Sequence, residues 1–134
     1  MKILLDTNVV LDILLDRQPF KENSYKAIKT SLEKGHVLYI SATAITDIFY
    51  ILRKACGSKK DALINMRNLL KIISIAKVDE DDIVNAFASS ISDFEDAVVN
   101  EVAVSIKANL ILTRNVKDFK NASVKIMNPK DFLK

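Results

Sequence analysis

The sequence predicts an α/β protein, a three-layer α/β/α sandwich built around a parallel sheet of about five strands. Short apolar runs alternate along the chain with helix-length amphipathic segments, and strands separated by helices pair in parallel through right-handed crossovers. The length of 134 residues, with 49% hydrophobic and 28% charged residues, suits one compact domain. We therefore expect residues 1–134 to form a single domain.

Five short apolar runs are the predicted strands, because each is bounded by turn or helix-start signals. They are Lys2–Leu5, Val37–Ile40, Ile72–Val78, Leu110–Leu112 and Val124–Met127.

The segments between them have helical periodicity or helix-start residues. Gly35 and Gly57 stand where helices should end, and Ser58 where the next should begin. The predicted helices are Thr7–Asp16, Phe20–Lys34, Ser41–Cys56, Lys59–Leu70, Asp79–Ile91 and one from Ser92 or Asp93 to Ala108, with a short turn or helix at Val116–Phe119. The last residues, Asn128–Lys134, either pack or fray.

The scarce residue types exclude several chemistries. A single cysteine, Cys56, allows no internal disulfide and no cysteine zinc site, so we expect it to be buried by packing. A single histidine cannot make a multi-histidine metal site, and two glycines cannot build a P-loop or a dinucleotide fingerprint. No apolar run approaches the roughly 18–20 residues that span a bilayer. These observations indicate a cytoplasmic protein without a membrane segment.

Charge is distributed unevenly along the chain. The stretch between Lys77 and Lys107 contains no basic residue and many acids. In residues 107–134, by contrast, basic residues outnumber acidic ones. An acidic centre beside a basic rim is typical of a metal-dependent enzyme that acts on a polyanion. Two solvated faces of opposite sign are the alternative.

Three acids, Asp6, Asp47 and Asp96, lie in apolar runs. Asp47 and Asp96 have no basic residue at helical spacing. A buried carboxylate is costly unless it is hydrogen-bonded, paired with a cation or bound to a metal. Several acids without counter-charge favour a site for Mg²⁺ or Mn²⁺, and hence hydrolysis of a phosphodiester.

The predicted fold brings these acids to one edge of the sheet. Asp6 ends the first strand, Thr113 and Asn115 follow the fourth, and Asp47 and Asp96 lie in the first turns of helices. Ligands of open parallel sheets bind beyond the carboxyl ends of the strands. One crevice could therefore collect all of these side chains.

Each acid also has a structural alternative. Asp6 could cap the helix that begins at Thr7, and Asp47 could hydrogen-bond a backbone group in the core. Of the pair Asp93 and Asp96, we expect Asp93 to be the N-cap and Asp96 the ligand.

The remaining acids are weaker candidates. Asp118 is either a ligand or a surface residue. Asp12, Asp16 and the run Asp79–Asp82 are expected on solvated faces.

Taken together, three segments resemble a PIN-domain nuclease: LLDTNVVLDIL, SATAITDIFYIL and DFEDAVVNEVAVSIKANLILTRNVKDF. The resemblance implies that Asp6 is the first metal-binding acid, with Asn8 as a supporting residue. It places Asp47 where most members have Glu, and Asp96 at the third acid.

The fourth acid of many members corresponds to Asn115, an uncharged amide, and Asp118 is the residue that could compensate. A single short domain of this kind is similar to VapC-type toxins of toxin–antitoxin pairs. The resemblance therefore implies RNA as substrate, an antitoxin protein as partner and a homodimer.

In the expected mechanism Asp6 and Asp96, with Asp47 directly or through water, hold one or two metal ions that activate water and neutralise phosphoryl charge. Arg114 and Lys117 are candidate contacts for neighbouring phosphates. One rival is a phosphoaspartyl or receiver-like domain, which fits poorly because Asn8 stands where a second acid is wanted. The other is a non-catalytic RNA- or partner-binding domain with a degenerate PIN site.

Overall fold

The structure, a computed structural model, describes residues 1–134 and contains one parallel five-stranded sheet. Its strands are β1 (Lys2–Leu5), β2 (Val37–Ser41), β3 (Ser74–Ala76), β4 (Leu110–Leu112) and β5 (Ile126–Met127). They lie in the order β3-β2-β1-β4-β5, and every neighbouring pair is parallel. The predicted α/β/α sandwich is confirmed.

Seven α-helices connect and flank the strands. They are α1 (Thr7–Leu14), α2 (Lys21–Glu33), α3 (Ala42–Cys56), α4 (Lys59–Leu69), α5 (Glu80–Phe87), α6 (Phe94–Ser105) and α7 (Pro129–Phe132), with a 3₁₀ helix at Val116–Phe119. None of them is both long and apolar enough to cross a lipid bilayer.

The strands carry two cores, one on each face of the sheet. Ile3 and Leu5 of β1 point into a larger core covered by α1 to α4, whereas Leu4 between them points into a second core formed with α5 and α6. This alternation follows from the two-residue period of a strand. Because both faces are covered, the buried residues of the central strand β1, Ile3, Leu4 and Leu5, are all apolar.

The predicted helix stops and starts at Gly57 and Ser58 are confirmed. Gly57 adopts the left-handed conformation (φ +68°), and the Ser58 hydroxyl accepts a hydrogen bond from the Asp61 backbone N–H at 3.2 Å. A residue without Cβ adopts this conformation without strain, so the chain can end α3 and begin α4 within two residues.

Several predicted elements are shorter in the structure. The third strand was predicted at Ile72–Val78, but β3 pairs with β2 over only three residues at the sheet edge. The helix predicted to reach Ile91 ends at Phe87, and the Ser89 hydroxyl accepts the Ile91 N–H in the turn that follows. Such local side-chain bonds compete with helix propagation.

Several expectations about burial were wrong. Asp82, predicted on a solvated face, is buried because it accepts hydrogen bonds from the Asp79 backbone N–H at 2.9 Å and from the Ser105 hydroxyl. Cys56, predicted to be buried, is exposed at the last turn of α3. Asp16, Asp79 and Asp81 are exposed, as predicted.

The topology creates a crevice beside β1. The chain leaves β1 to form β2 on one side, and returns much later to form β4 on the other side. The carboxyl ends of two strands whose connections depart in opposite directions form the usual ligand crevice of such sheets. Asp6 and Thr113, which follow β1 and β4, therefore lie side by side.

Candidate active site

Asp6 is the centre of the crevice. It has an extended backbone (φ −76°, ψ 155°) and caps α1, since its Oδ1 accepts the Thr7 backbone N–H at 2.8 Å. Its Oδ2 accepts the Thr113 hydroxyl at 2.7 Å and the Asn8 amide at 3.2 Å. The expected cap is thus confirmed, and the same carboxylate also faces the crevice between β1 and β4.

No basic side chain contacts Asp6, although only 8% of the residue is exposed. Burial raises the pKa of the Asp6 carboxyl, and the hydrogen bonds from Thr113 and Thr7 lower it in part. The charges of Asp118 and Asp93 raise the pKa further. Asp6 is therefore a buried acid that lacks a cation.

Asn8 and Thr113 hold the two strand ends together. The Thr113 hydroxyl accepts hydrogen bonds from the Asn8 amide at 3.2 Å and the Asn115 backbone N–H at 3.0 Å. The side-chain Oδ1 of Asn8 in turn accepts a hydrogen bond from the Arg114 backbone N–H at 3.1 Å. These bonds fix the orientation of the Asp6 carboxylate, which suits the supporting role expected for Asn8.

Asp93 and Asp96 approach from α6 on the other face. Asp93 is the N-cap, as predicted, and its Oδ1 accepts the Asp96 backbone N–H at 3.0 Å. Asp96 is half-buried. Burial first, and then the charges of Asp6, Asp93, Asp118 and Glu95, raise the pKa of the Asp96 carboxyl to about 7. Burial and the neighbouring acids act in the same direction on this carboxyl.

Asp47 lies at the exposed rim rather than in the core. The alternative that it hydrogen-bonds a backbone group in the core was therefore wrong, because its side chain projects outward from α3. The pKa of Glu95 is raised by burial and then by the charge of Asp47 nearby. Sequence reasoning missed Glu95 as a site residue, and its only signal was its position between Asp93 and Asp96.

Asp118, on the 3₁₀ helix, belongs with these acids. Its charge raises the pKa of both Asp6 and Asp96. The Asn115 backbone N–H binds the Thr113 hydroxyl, and Asn115 itself is exposed. We call Asp6, Asp47, Asp93, Glu95, Asp96 and Asp118 the acidic cluster.

The donor chemistry of the acidic cluster fits a hard divalent cation, because it consists of carboxylate oxygens without lysine, histidine or cysteine. No three of these side chains are close enough, as they stand, to hold one ion together. Asp96 is partly exposed and can change rotamer, whereas the carboxylates of Asp6 and Asp93 are held by hydrogen bonds. The absence of a lysine at Asp6 also disfavours the receiver-like alternative.

A second buried acid, Asp12, has the cation that Asp6 lacks. Asp12 was predicted on a solvated face, but it is fully buried. The Arg114 guanidinium donates Nε to its Oδ2 at 2.7 Å and Nη2 to its Oδ1 at 3.0 Å. Ser24 adds a hydroxyl donor at 3.0 Å.

Arg114 was expected to contact substrate phosphates, but the structure gives it a structural partner first. Its guanidinium also lies over the Phe20 ring, 3.9 Å from the centroid. Lys117, the other expected phosphate contact, is exposed on the 3₁₀ helix beside Asp118.

Comparisons with known proteins identify a similar chain and similar folds. Ribonuclease VapC1 of Aquifex aeolicus (strain VF5) is 28% identical over 136 residues, covering 98% of this chain and 92% of the relative. Similar folds are found in VapBC2 from Rickettsia felis bound to a DNA fragment from their promoter and in Mycobacterium tuberculosis VapC20, described as a sarcin–ricin loop cleaving toxin.

The Rickettsia structure has a TM-score of 0.72 at 16% identity and covers 96% of this chain and 98% of that chain. VapC20 has a TM-score of 0.70 at 13% identity, with 92% and 98% covered. A PIN domain family model matches residues 2–117. The chain belongs to the PIN domain family.

Proposed function

We propose that this chain is a metal-dependent endoribonuclease that hydrolyses phosphodiester bonds of RNA, and that it is the toxin of a toxin–antitoxin pair. The observation that carries this proposal is Asp6, a buried carboxylate with neutral hydrogen-bond donors, further acids around it and no basic partner. The resemblance to a ribonuclease along nearly the whole chain supports the RNA substrate.

The acidic cluster supplies the ligands. Asp6 and Asp96, with Asp47 directly or through water, hold Mg²⁺ or Mn²⁺. When bound, the ion lowers the pKa of water and neutralises charge on the phosphoryl oxygens. Asp118 is the better candidate than Asn115 for a fourth ligand, because its charge already acts on both Asp6 and Asp96.

The other residues orient this centre. Thr113 and Asn8 fix the Asp6 carboxylate, and Asp93 fixes the first turn of α6 and with it Asp96. Lys117 contacts a substrate phosphate next to the site. No side chain needs to act as the nucleophile.

We also propose an antitoxin partner, a homodimer and a cytoplasmic location. The fold relative from Rickettsia felis is a VapBC assembly, which supports a protein partner. Helices α2 and α4 expose apolar side chains: Phe20 at the N-cap of α2, Tyr25 on α2 and Ile64 on α4. A second copy would cover such surface.

The test is cleavage of single-stranded RNA by the purified chain. We expect cleavage with Mn²⁺ or Mg²⁺, none with a chelator, and recovery when the metal is returned. Single-stranded DNA of the same sequence is the control substrate. Cleavage that persists in excess chelator would refute the metal-dependent mechanism.

One observation favours a second candidate, a non-catalytic RNA-binding or partner-binding domain. Asn115 stands where many PIN domains have a fourth acid, so the site has one charge fewer. RNA binding without cleavage at saturating Mn²⁺ would support this candidate over the nuclease.

A further inference from the structure

A cavity of about 350 Å³ is lined by Arg114 and by no residue of the acidic cluster. It opens between the start of α2, the start of α7 and the loop after β4. Its polar lining consists of two cations, Arg114 and Lys130, two amides, Asn23 and Asn128, and the buried Ser24, with the Phe20 ring beside them. This volume is within the roughly 300–1,000 Å³ of typical ligand pockets.

Arg114 is held rigidly at the wall of this cavity. Asp12 fixes its Nε and Nη2, and Phe20 supports the plane of the guanidinium. Its third nitrogen, Nη1, has no protein partner and is open to solvent, since no buried polar side-chain atom lacks a hydrogen bond. A fixed guanidinium with a free donor edge is well suited to bind a phosphate oxygen.

Lys130 supplies the positive charge that is not already paired. Asp12 largely balances the charge of Arg114, whereas Lys130 is exposed and makes no salt bridge. In this cavity Arg114 therefore fixes the orientation of a bound anion, and Lys130 supplies the net positive charge that attracts it. Asn23 adds an amide that can donate and accept, as the edge of a base requires. Asn128 adds an amide NH₂ donor, because its Oδ1 already caps α7 by accepting the Asp131 backbone N–H at 2.7 Å.

The cavity is next to the candidate active site along the chain and in space. Arg114 follows Thr113, whose hydroxyl contacts Asp6, and the Arg114 backbone N–H binds Asn8. A polyanion bound at Asp6 that continues across this edge of the sheet reaches Arg114 next.

We propose that this cavity binds one nucleotide of the RNA substrate beside the scissile phosphodiester, with its phosphate on Arg114 and Lys130 and its base edge on Asn23 and Asn128. The inference rests on the proposed ribonuclease activity. It makes the cavity a determinant of which RNA sequence is cut.

The test compares Lys130→Ala with Lys125→Ala in the full chain. Both lysines are exposed, but Lys125 precedes β5, whereas Lys130 follows it and lines the cavity. With saturating Mn²⁺ and a short single-stranded RNA, we expect Lys130→Ala to raise KM about tenfold, the loss of one hydrogen bond to a charged group, with kcat unchanged. For this variant, the slope of log affinity against log salt concentration should be shallower by about 0.7. Lys125→Ala should change neither quantity.

Asn23→Ala tests the base contact separately. This substitution lies on a helix and places a good helix former there, so folding is retained. We expect it to alter the ratio of kcat/KM among four RNAs that differ only at the nucleotide beside the cut. Wild-type KM in Lys130→Ala, together with an unchanged ratio in Asn23→Ala, would overturn the inference, as would equal losses in Lys130→Ala and Lys125→Ala.

Binding measured without cleavage distinguishes this inference from the proposed function. Fluorescence anisotropy with labelled RNA in chelator should show weaker binding to Lys130→Ala than to wild type. If wild type binds in this way but does not cut RNA with metal, the nuclease proposal fails and the cavity remains an RNA site. If hexaglutamate displaces the RNA and binds more tightly, the cavity belongs to an acidic protein partner and the inference is wrong.

Discussion

Asp6 caps α1 and Asp12 lies six residues later in the same helix, and both are buried, with 8% and 0% exposed. Asp12 is paired bidentately with Arg114, whereas Asp6 is bonded to a hydroxyl, an amide and a backbone N–H. A buried charge with its own cation is part of the structure. A buried charge with neutral donors and more acids nearby requires a cation from outside the chain.

The difference extends to the surroundings of each acid. The nearest charged neighbours of Asp6 are Asp118, Asp93 and other acids, which raise its pKa and that of Asp96. Asp12 instead links α1, α2 and the loop after β4 through Ser24 and Arg114. Conservative substitutions should therefore affect function at Asp6 and stability at Asp12.

The largest expected effect is loss of activity in Asp6→Asn. The amide keeps the volume of the side chain but not its charge. Mutation of even a group that only supports a metal ligand lowers metal affinity or activity by about 10–100-fold. We expect cleavage to fall by more than about 100-fold, measured with RNA and saturating Mn²⁺. The metal-free Tm should be unchanged or slightly higher, because repulsion among the acids is relieved. Wild-type turnover in this variant would remove Asp6 from the site.

Asp12→Asn should lower stability instead. It leaves the guanidinium of Arg114 without its anion, and breaking a largely buried pair costs about 3 kcal/mol. The measurement is urea unfolding of the metal-free protein. Asp16→Asn is the matched control, because Asp16 pairs with Lys21 in solvent and its loss should leave the midpoint nearly unchanged. Equal midpoints for Asp12→Asn and wild type would show that the pair does not stabilise the fold.

Asp118→Asn and Asn115→Asp show how far the acidic cluster extends. If Asp118 is a ligand, its substitution should weaken Mn²⁺ binding by about tenfold, measured by calorimetric titration. Asn115→Asp restores a charge at the position where many family members have an acid. In that case it should tighten Mn²⁺ binding by a smaller factor than Asp118→Asn weakens it. If neither variant changes the affinity, the centre consists of Asp6, Asp47 and Asp96 alone.

The smallest expected effect is on the pH dependence of stability without metal. The pKa of Asp96 is raised from 3.8 to about 7, so the native state binds its proton more tightly than the unfolded state does. Between these values the free energy of unfolding should therefore fall as pH rises. Urea midpoints from pH 5 to pH 8 measure this slope, which Asp96→Asn should reduce. A slope of the opposite sign would contradict the crowding of acids around Asp96.

The local signals in the sequence were enough to identify the elements. Alternating and helical apolar periods placed all five strands and the main helices, and Gly57, Ser58 and Asp93 marked their ends. These features act over a few residues, so the chain itself displays them. The candidate acids other than Glu95 were predicted for the same reason, since each stands where a strand ends or in the first turns of a helix.

Only the tertiary structure decided which acid has a partner. Asp12 and Arg114 are 102 residues apart, and nothing near either of them in sequence indicates the pair. The sequence likewise did not identify Glu95 as a neighbour of Asp47, or indicate that Asp47 is exposed. The sequence by itself determined the strands, the helices and the acids at their ends. Charge pairing depends on distance in space, and the packing of α1, α2 and β4 against one another sets that distance.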